Sequence, residues 1–356
     1  MENRQSICFV ATVEFAVNAF LINHLKELSK YYDLTVVVNL QNPNFLMKKK
    51  LDIRLININF SRNINFLSDI SSLIRLIFLF YQKRFDAVHS ITPKAGLLSM
   101  LAAFITFIPL RVHSFTGQVW ATKKGPFKLI LKLIDMLIGN LTTKNIIDSK
   151  SQFNFLLKHK IIKKNKSLVF GCGSIAGVNL SKFKSNNKVK NSLRKKFNIP
   201  LNAFVFIFLG RLNKEKGVND LIAAFKLANL KSTYLILAGP DEEGISSKIK
   251  NHQLNIIFTG LTQIPQDLLN MSNIICLPSY REGFGSVVIE AAAVGLPSIV
   301  SNIYGLSDSI IKNKTGLTHK PGDVKALSNL MVYASSNQKL MTTFGKAAQK
   351  RARIEF

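Results

Sequence analysis

The sequence predicts an α/β protein made of two doubly wound parallel-sheet domains, and three observations carry that prediction. Short, nearly continuous apolar runs rich in Val, Ile and Phe recur along the chain, separated by stretches with helical apolar spacing. That alternation belongs to parallel sheets covered by helices on both faces. It gives way to a polar, lysine-rich stretch at Ser181 to Ile199 and resumes at Phe204. With 356 residues and a hydrophobic share of 47%, the chain can fill two cores of ordinary size. The boundaries expected are a first domain over 1–184, a linker over 185–200 and a second domain over 201–356.

In order, Ser6 to Ala11 reads as a strand, and Thr12 to Lys30 carries Phe15, Ala16, Ala19, Phe20, Ile22, Leu25 and Leu28 at helical spacing. Leu34 to Leu40 is a Val-rich second strand, Ile53 to Ile58 a third, and Leu67 to Gln82 a helix. Ala87 to Ser90 is a fourth strand; Thr92 to Gly96 reads as a loop opening a helix to Phe107. Arg111 to Phe115 and Ile146 to Asp148 are further strands. In the second half, strands are expected at Phe204 to Gly210, Tyr234 to Ala238, Asn255 to Phe258, Asn273 to Leu277 and Ser298 to Val300. Helices are expected at Asp220 to Ala228, Gln266 to Asn270 and Ser307 to Lys312. Ligands of such sheets belong at the carboxyl ends of the strands, in a cleft between two such domains.

Gly117 to Asn140 departs from the rhythm. Gln118 to Phe127 sets one Trp, one Phe and two Lys beside glycine and proline, and Lys128 to Ile138 is apolar with a lysine stripe. An aromatic and lysine-bearing lead into an amphipathic helix is the pattern of an interfacial anchor. The helix itself reads better as core-facing, so the loop before it is the segment expected to touch lipid or a lipid-linked substrate.

Net charge is +28, and Lys144 to Lys196 holds 14 basic residues against one acid, Asp148. Nucleic acid, anionic lipid and a plain compositional bias compete as explanations. No zinc-finger spacing or aromatic RNA-binding signature is present, which disfavours nucleic acid; an anionic membrane surface is the preferred partner. The longest apolar run, Ala95 to Leu110, is interrupted by Ser99, Thr106 and Pro109 and falls short of the roughly 20 residues a membrane-spanning helix needs. Met1 to Ser6 is polar, so no signal peptide is expected. Cys8, Cys172 and Cys276 are far apart and read as reduced packing residues.

The chemistry concentrates in Ser279 to Ala293, where a strand feeds a glycine-punctuated turn and then a helix. Backbone N–H groups at such a helix start favour a phosphate. Glu282 before the turn and Glu290 on the helix, seven residues apart, suit hydrogen bonds from hydroxyl groups of one polyhydroxylated ligand, so the stretch points to a nucleotide sugar. The plain alternative, surface helix charges, fits Glu290 badly, because Val287 to Ile289 and Ala291 to Val294 are all apolar. Gly210 to Gly217 follows a buried strand and offers Arg211 as a fork and Lys216 as a point charge for a diphosphate. His89 and His113 lie on strands, where hydrogen-bonded packing is the commoner role. No Asp-x-Asp pair occurs, so no metal is expected. No Walker loop or Gly-x-Gly-x-x-Gly follows the first strand, which disfavours kinases and dinucleotide oxidoreductases.

These residues resemble a known family. Glu282-Gly-Phe-Gly-Ser-Val-Val-Ile-Glu290 is similar to the Glu-x7-Glu signature of retaining glycosyltransferases of family 4, and Gly210-Arg-Leu with Lys216-Gly resembles that family's diphosphate loop. The likeness extends to His89 through Gly96, Phe115 through Trp120, Gly173 through Asn179, and Ile303 through Leu306. It is strongest to bacterial enzymes of capsule, O-antigen and other lipid-linked glycans.

The resemblance implies the GT-B fold, two Rossmann-like domains facing across a deep cleft, the first binding acceptor and facing the membrane, the second binding donor. It implies Arg211, Lys216 and Glu282 as the catalytic set, with Arg211 and Lys216 on the phosphates and Glu282 on the donor sugar. Gly210, Phe284, Gly285, Ser286 and Val287 would complete the donor site, Glu290 would take the ribose hydroxyls, and Ile264, within Thr259 to Pro265, would lie near the base. Asn18, Lys94, His113, Thr116 and Gly117 are the acceptor-side candidates. Many relatives carry His-Gly where this chain has Thr116-Gly117, and many continue past the position of Phe356 into a helix that crosses back onto the first domain, so the chain is expected to be short there.

The function implied is transfer of a sugar, an N-acetylated hexosamine or a related one, from a UDP-sugar to an undecaprenyl-diphosphate-linked saccharide without cofactor or metal. The place expected is cytoplasmic, peripheral on the inner face of the cytoplasmic membrane. The alternative is an inactive nucleotide-sugar-binding subunit of a glycan assembly complex.

Overall fold

The structure, a computed structural model, describes residues 4–47, 50–61, 65–249 and 255–356; part of the polar opening, 1–3, lies outside them. The chain divides between Phe170 and Gly171 into two units, each built on one all-parallel sheet.

The first unit orders seven strands as β3-β2-β1-β4-β5-β6-β7. These are β1 (Ser6–Val13), β2 (Asp33–Asn39), β3 (Arg54–Asn57), β4 (Ala87–Ile91), β5 (Leu110–Phe115), β6 (Lys144–Ile147) and β7 (Ser167–Leu168). The two-residue period of β1 sends Cys8 and Val10 to one face and Phe9 and Ala11 to the other. Cys8 and Val10 pack with Leu76, Phe80, Met100 and Ile138 from helices Phe66–Lys83, Pro93–Ile105 and Gly125–Leu141. Phe9 and Ala11 pack with Val17, Leu21 and Leu25. The helix expected from Thr12 starts at Glu14 and contains a π-helical turn, Val17–Leu21. The loop expected over Thr92 to Gly96 is the first turn of helix Pro93–Ile105, because proline suits the opening turn, where its missing N–H costs no bond.

The second unit orders six strands as β10-β9-β8-β11-β12-β13. They are β8 (Phe204–Leu209), β9 (Thr233–Ala238), β10 (Ile256–Gly260), β11 (Ile274–Leu277), β12 (Ser298–Ser301) and β13 (Gly316–His319). Phe204, Phe206 and Phe208 pack with Leu221 and Phe225 of helix Val218–Ala228 and Met331 of helix Val324–Ser336. Val205 and Ile207 pack on the opposite face with Ala291 of helix Ser286–Ala293 and Ala348 of helix Gln338–Glu355. Both sheets are thus doubly wound, as the sequence predicts.

The division falls earlier than the composition indicates. Residues 185–200, assigned above as a linker, contain helix Asn187–Lys196 inside the second unit. Arg194 explains this: the residue is 1% exposed, and its guanidinium donates to the carbonyls of Met271, Leu201 and Ala203 and to Asn273 Oδ1, at 2.7–3.0 Å. One member of an apparently solvated charge run is a buried tether.

Of the anchor expected in the loop before helix Gly125–Leu141, one member needs correction. Trp120 is buried in a 3-10 turn, Val119–Thr122; its Nε1 donates to Asp135 Oδ2 at 2.8 Å and its ring stacks on Phe155 at 5.2 Å. The helix faces the core as expected, through Ile138 with Leu131, Ile134 and Met136, but on its other side leaves Leu129, Ile130 and Leu133 exposed. All three cysteines are free, and burial pushes the thiols of Cys8 and Cys276 up. Among the described residues no helix is long and apolar enough to cross a membrane.

Candidate functional site

In the second sheet the strand order reverses between β8 and β11, and a doubly wound sheet opens its crevice at the carboxyl ends of such a pair. The two loops that leave there are pressed together. Gly217 has φ +69, and a Cβ on it would lie 2.1 Å from the carbonyl oxygen of Pro278, so only glycine allows this approach.

Three side-chain contacts fasten one segment to the other, and a fourth, within the second loop, supports them. Lys216 Nζ meets Glu282 Oε1 at 2.5 Å, and Ser279 Oγ donates to the same oxygen at 2.9 Å. Arg281 Nη2 meets Glu215 Oε2 at 2.7 Å, and Tyr280 O–H donates to Asp220 Oδ2 at 2.7 Å, a bond that raises the phenol to about 12. Behind Lys216, Asn213 accepts from the Lys216 N–H at 3.0 Å and donates through Nδ2 to Glu242 Oε2 at 2.7 Å. Glu242 also pairs with Arg211 Nη1 at 3.1 Å. One network therefore runs Arg211, Glu242, Asn213, Lys216, Glu282, Ser279. It unites the Arg211, Lys216 and Glu282 that the sequence singles out.

Helix Ser286–Ala293 begins where this network ends. Its N-cap residue, Gly285, has φ +81 and no side chain to cap the first turn, so the opening amides are left for solvent or an anion. A Cβ there would lie 2.4 Å from Leu306 Cδ2. Phe284 is fully buried, edge-on to Phe356 at 5.2 Å, and braces the turn; Ser286 and Val287 are half-buried in the opening turn.

Glu290, in the helix's second turn, is half-buried. Among the described residues no hydrogen bond or ion pair to its carboxyl is seen. Desolvation pushes that carboxyl up to about 7, with Lys182 pulling it the other way. A carboxyl so placed can accept hydrogen bonds from ligand hydroxyls. Gly210 joins β8 to Arg211; Ile264 stands exposed at the start of helix Pro265–Asn270, beyond β10, two strands from β8 and outside the network.

In the first unit the residues singled out are more scattered. Asn18 is exposed on the π-helical turn. Lys94, in the first turn of helix Pro93–Ile105, binds both oxygens of Asp69, at 2.8 and 2.9 Å. His113 departs from its assignment to an acceptor surface: it is 2% exposed, and its Nδ1 shares a 2.8 Å hydrogen bond with Ser90 Oγ. Its ring leaves no room at Gly96, where a Cβ would fall 2.4 Å from His113 Cε1. Burial lowers the imidazole to about 3, and the His89 imidazole adds to the shift. His89, bonded through Nε2 to Ser114 Oγ at 2.8 Å, is lowered to about 4 by burial first and His24 second. Thr116 presents its carbonyl to Gln152 Nε2, which also donates to Gln118 Oε1 at 3.1 Å; Thr116 and Gly117 are half-buried.

Sequence reasoning passed over Asn213, Glu242, Ser279 and Lys182. Glu242 had a signal: Asp241-Glu-Glu243 stands directly after Gly239-Pro240 at the end of β9, a dense acidic run in a chain with only 20 acids. Thr92 was also missed as a special position. This β-branched residue holds φ +78, an unusual conformation, with its hydroxyl 2.6 Å from that of Thr12.

Comparison with known proteins places this geometry. Residues 189–351 match the family model for glycosyl transferases group 1. The chain is 32% identical over 341 residues to the capsular polysaccharide biosynthesis glycosyltransferase CapM of Staphylococcus aureus, covering 88% of each chain. It is 28% identical over 290 residues to a UDP-Gal:alpha-D-GlcNAc-diphosphoundecaprenol alpha-1,3-galactosyltransferase of Escherichia coli, covering 78% of this chain and 74% of the relative. Among solved structures, Anabaena HepE in complex with UDP and glucose superposes with a TM-score of 0.82 at 18% identity, over 99% of this chain and 96% of that one. At that identity the likeness carries the fold: GT-B, two Rossmann-like domains with parallel sheets.

Proposed function

The chain belongs to the glycosyl transferases group 1 family, and from that premise we propose that it is a retaining, family 4-type glycosyltransferase of surface polysaccharide biosynthesis. It moves a sugar, an N-acetylated hexosamine or a related one, from a UDP-sugar to an undecaprenyl-diphosphate-linked saccharide, at the inner face of the cytoplasmic membrane. The observation that carries the reading is the cation network ending at an uncapped helix start, with the unpartnered Glu290 one turn further on. The donor and acceptor classes are those printed for relatives: HepE is seen in complex with UDP-glucose, and the Escherichia coli enzyme is named for UDP-Gal and a GlcNAc-diphosphoundecaprenol.

In this reading the diphosphate lies between Arg211, Lys216 and the amides of Phe284 to Val287, competing with Glu282 and Glu242 for the two cations. Glu282, freed from Lys216, takes a donor-sugar hydroxyl; Glu290 takes the ribose hydroxyls; Ile264 borders the base. An acceptor hydroxyl attacks the anomeric carbon from the face the diphosphate leaves. The new C–O bond forms as the old one breaks, the departing phosphate oxygen takes the hydroxyl proton, and UDP is released. The two cations and the helix amides stabilise the charge that builds on that oxygen, so no metal is needed.

The test is transfer and UDP affinity in Arg211→Ala and Glu290→Ala. Each is expected to weaken UDP binding by about tenfold or more, and Arg211→Ala to slow transfer by about a hundredfold. Unchanged values in both would overturn the assignment. Tight UDP binding by the wild type with no turnover of any UDP-sugar would make the chain a nucleotide-sugar-binding subunit.

A further inference from the structure

Helix Phe66–Lys83 carries two apolar faces where a sheet-covering helix needs one. Leu76 and Phe80 point into the core. On the opposite side Leu67, Ile70, Ile74, Phe78 and Tyr81 follow one another at three- and four-residue steps and are exposed, Phe78 by 62% and Ile74 by 60%. Such spacing lines one side of a helix. Helix Gly125–Leu141 does the same with Phe127, Ile130, Leu133 and Leu137. Both helices pack against Pro93–Ile105 in the same core cluster, so the two outward stripes belong to one layer. At the end of that middle helix Phe104, Ile105 and Phe107 are exposed as well. An apolar surface of this extent is uncommon on a protein that meets only water.

The exposed charges that these two helices and their caps carry have one sign. Arg75, Lys83 and Arg84 are exposed along or just past the first helix, and Lys124 and Lys128 at the start of the second. Each helix holds a single acid, and neither opposes these cations: Asp69 binds Lys94, and Asp135 is buried against Trp120. A second copy of the chain fits poorly, because a twofold interface brings the same patch against itself and would set these cations against their own images. We infer that the outward faces of helices Phe66–Lys83 and Gly125–Leu141 form a docking surface for an anionic lipid bilayer, the apolar stripes entering the headgroup boundary and the lysines and arginines meeting lipid phosphates. The inference rests on the reading of a lipid-linked acceptor and adds the side of the molecule that faces it.

The test is co-sedimentation of the full chain with vesicles that contain no acceptor, either phosphatidylcholine alone or phosphatidylcholine mixed with phosphatidylglycerol. The wild type is expected to partition onto the mixed vesicles and far less onto the neutral ones. Ile74→Glu with Phe78→Glu, or Leu133→Glu, is expected to cut partitioning by about tenfold or more. Leu227→Glu, which adds the same charge to an exposed leucine of the second unit, is expected to change it by less than about twofold. Slow hydrolysis of a UDP-sugar in lipid-free solution should be equal in all of these variants. If that hydrolysis is absent in the wild type while docking persists, the transferase reading fails and the surface stands. Equal partitioning of all variants, or no preference for anionic vesicles, overturns the surface. So does a wild-type dimer in solution that the Ile74 and Phe78 changes dissolve.

Discussion

The two sheets share one winding, yet the polar groups near the carboxyl ends of their central strands behave in opposite ways. In the first unit His89, Ser90, His113 and Ser114 satisfy one another at 2.8 Å, the last three buried and His89 half-buried. In the second, Arg211, Lys216, Glu282 and Glu290 stay partly open, and their partners are other charges that a ligand can replace. Polarity at a strand end therefore does not mark a site. What marks it is a charge whose present partner is exchangeable, or that has none.

The largest expected effect sharpens that contrast directly. Lys216→Ala should lower transfer by about 10²–10³-fold and cost about 1 kcal/mol of stability, because Ser279 still bonds Glu282 and water can reach the pair; steady-state rates and denaturant titration read the two together. His113→Ala should do the reverse. It is expected to remove about 2–4 kcal/mol of stability, by opening a cavity beside Gly96 and orphaning Ser90, while UDP affinity stays within about twofold. Calorimetric titration with UDP decides this, and a large loss of affinity in His113→Ala would break the contrast.

The smallest effect concerns Glu290 and pH. Its carboxyl sits near 7 in the folded chain, above its unfolded value, so its contribution to stability is present at low pH and is lost as pH rises through 7. Between about pH 5 and about pH 8 the wild type should lose about 2 kcal/mol relative to Glu290→Gln. UDP affinity should move oppositely, strengthening as Glu290 ionises and becomes the better acceptor for ribose hydroxyls. Parallel melting curves for the two proteins across that range would contradict the assignment.

Much of this was legible in the chain itself, for identifiable reasons. Buried parallel strands are continuous apolar runs, so β1, β2, β8, β9 and β11 could be read directly, and the glycine turn before Glu290 announced the helix start. β7, of two residues, is too short to signal itself. Helices Lys150–Lys158, Asn187–Lys196 and Gln338–Glu355 are so basic and polar that they resemble solvated segments. The linker was misplaced because no local pattern says that Arg194 turns inward to four acceptors. Trp120 was misread as part of the anchor because its role depends on Asp135, fifteen residues on. The outward face of Phe66–Lys83 was hidden for a similar reason: a helix apolar on two sides looks, in sequence, like one that is simply buried.

The most direct measurement is a structure of the chain soaked with UDP. Both phosphates should lie between Lys216, Arg211 and the opening amides of helix Ser286–Ala293, with the ribose hydroxyls on Glu290 and the Lys216–Glu282 pair parted. A nucleotide bound anywhere else, or one that leaves that pair closed, would contradict the central claim.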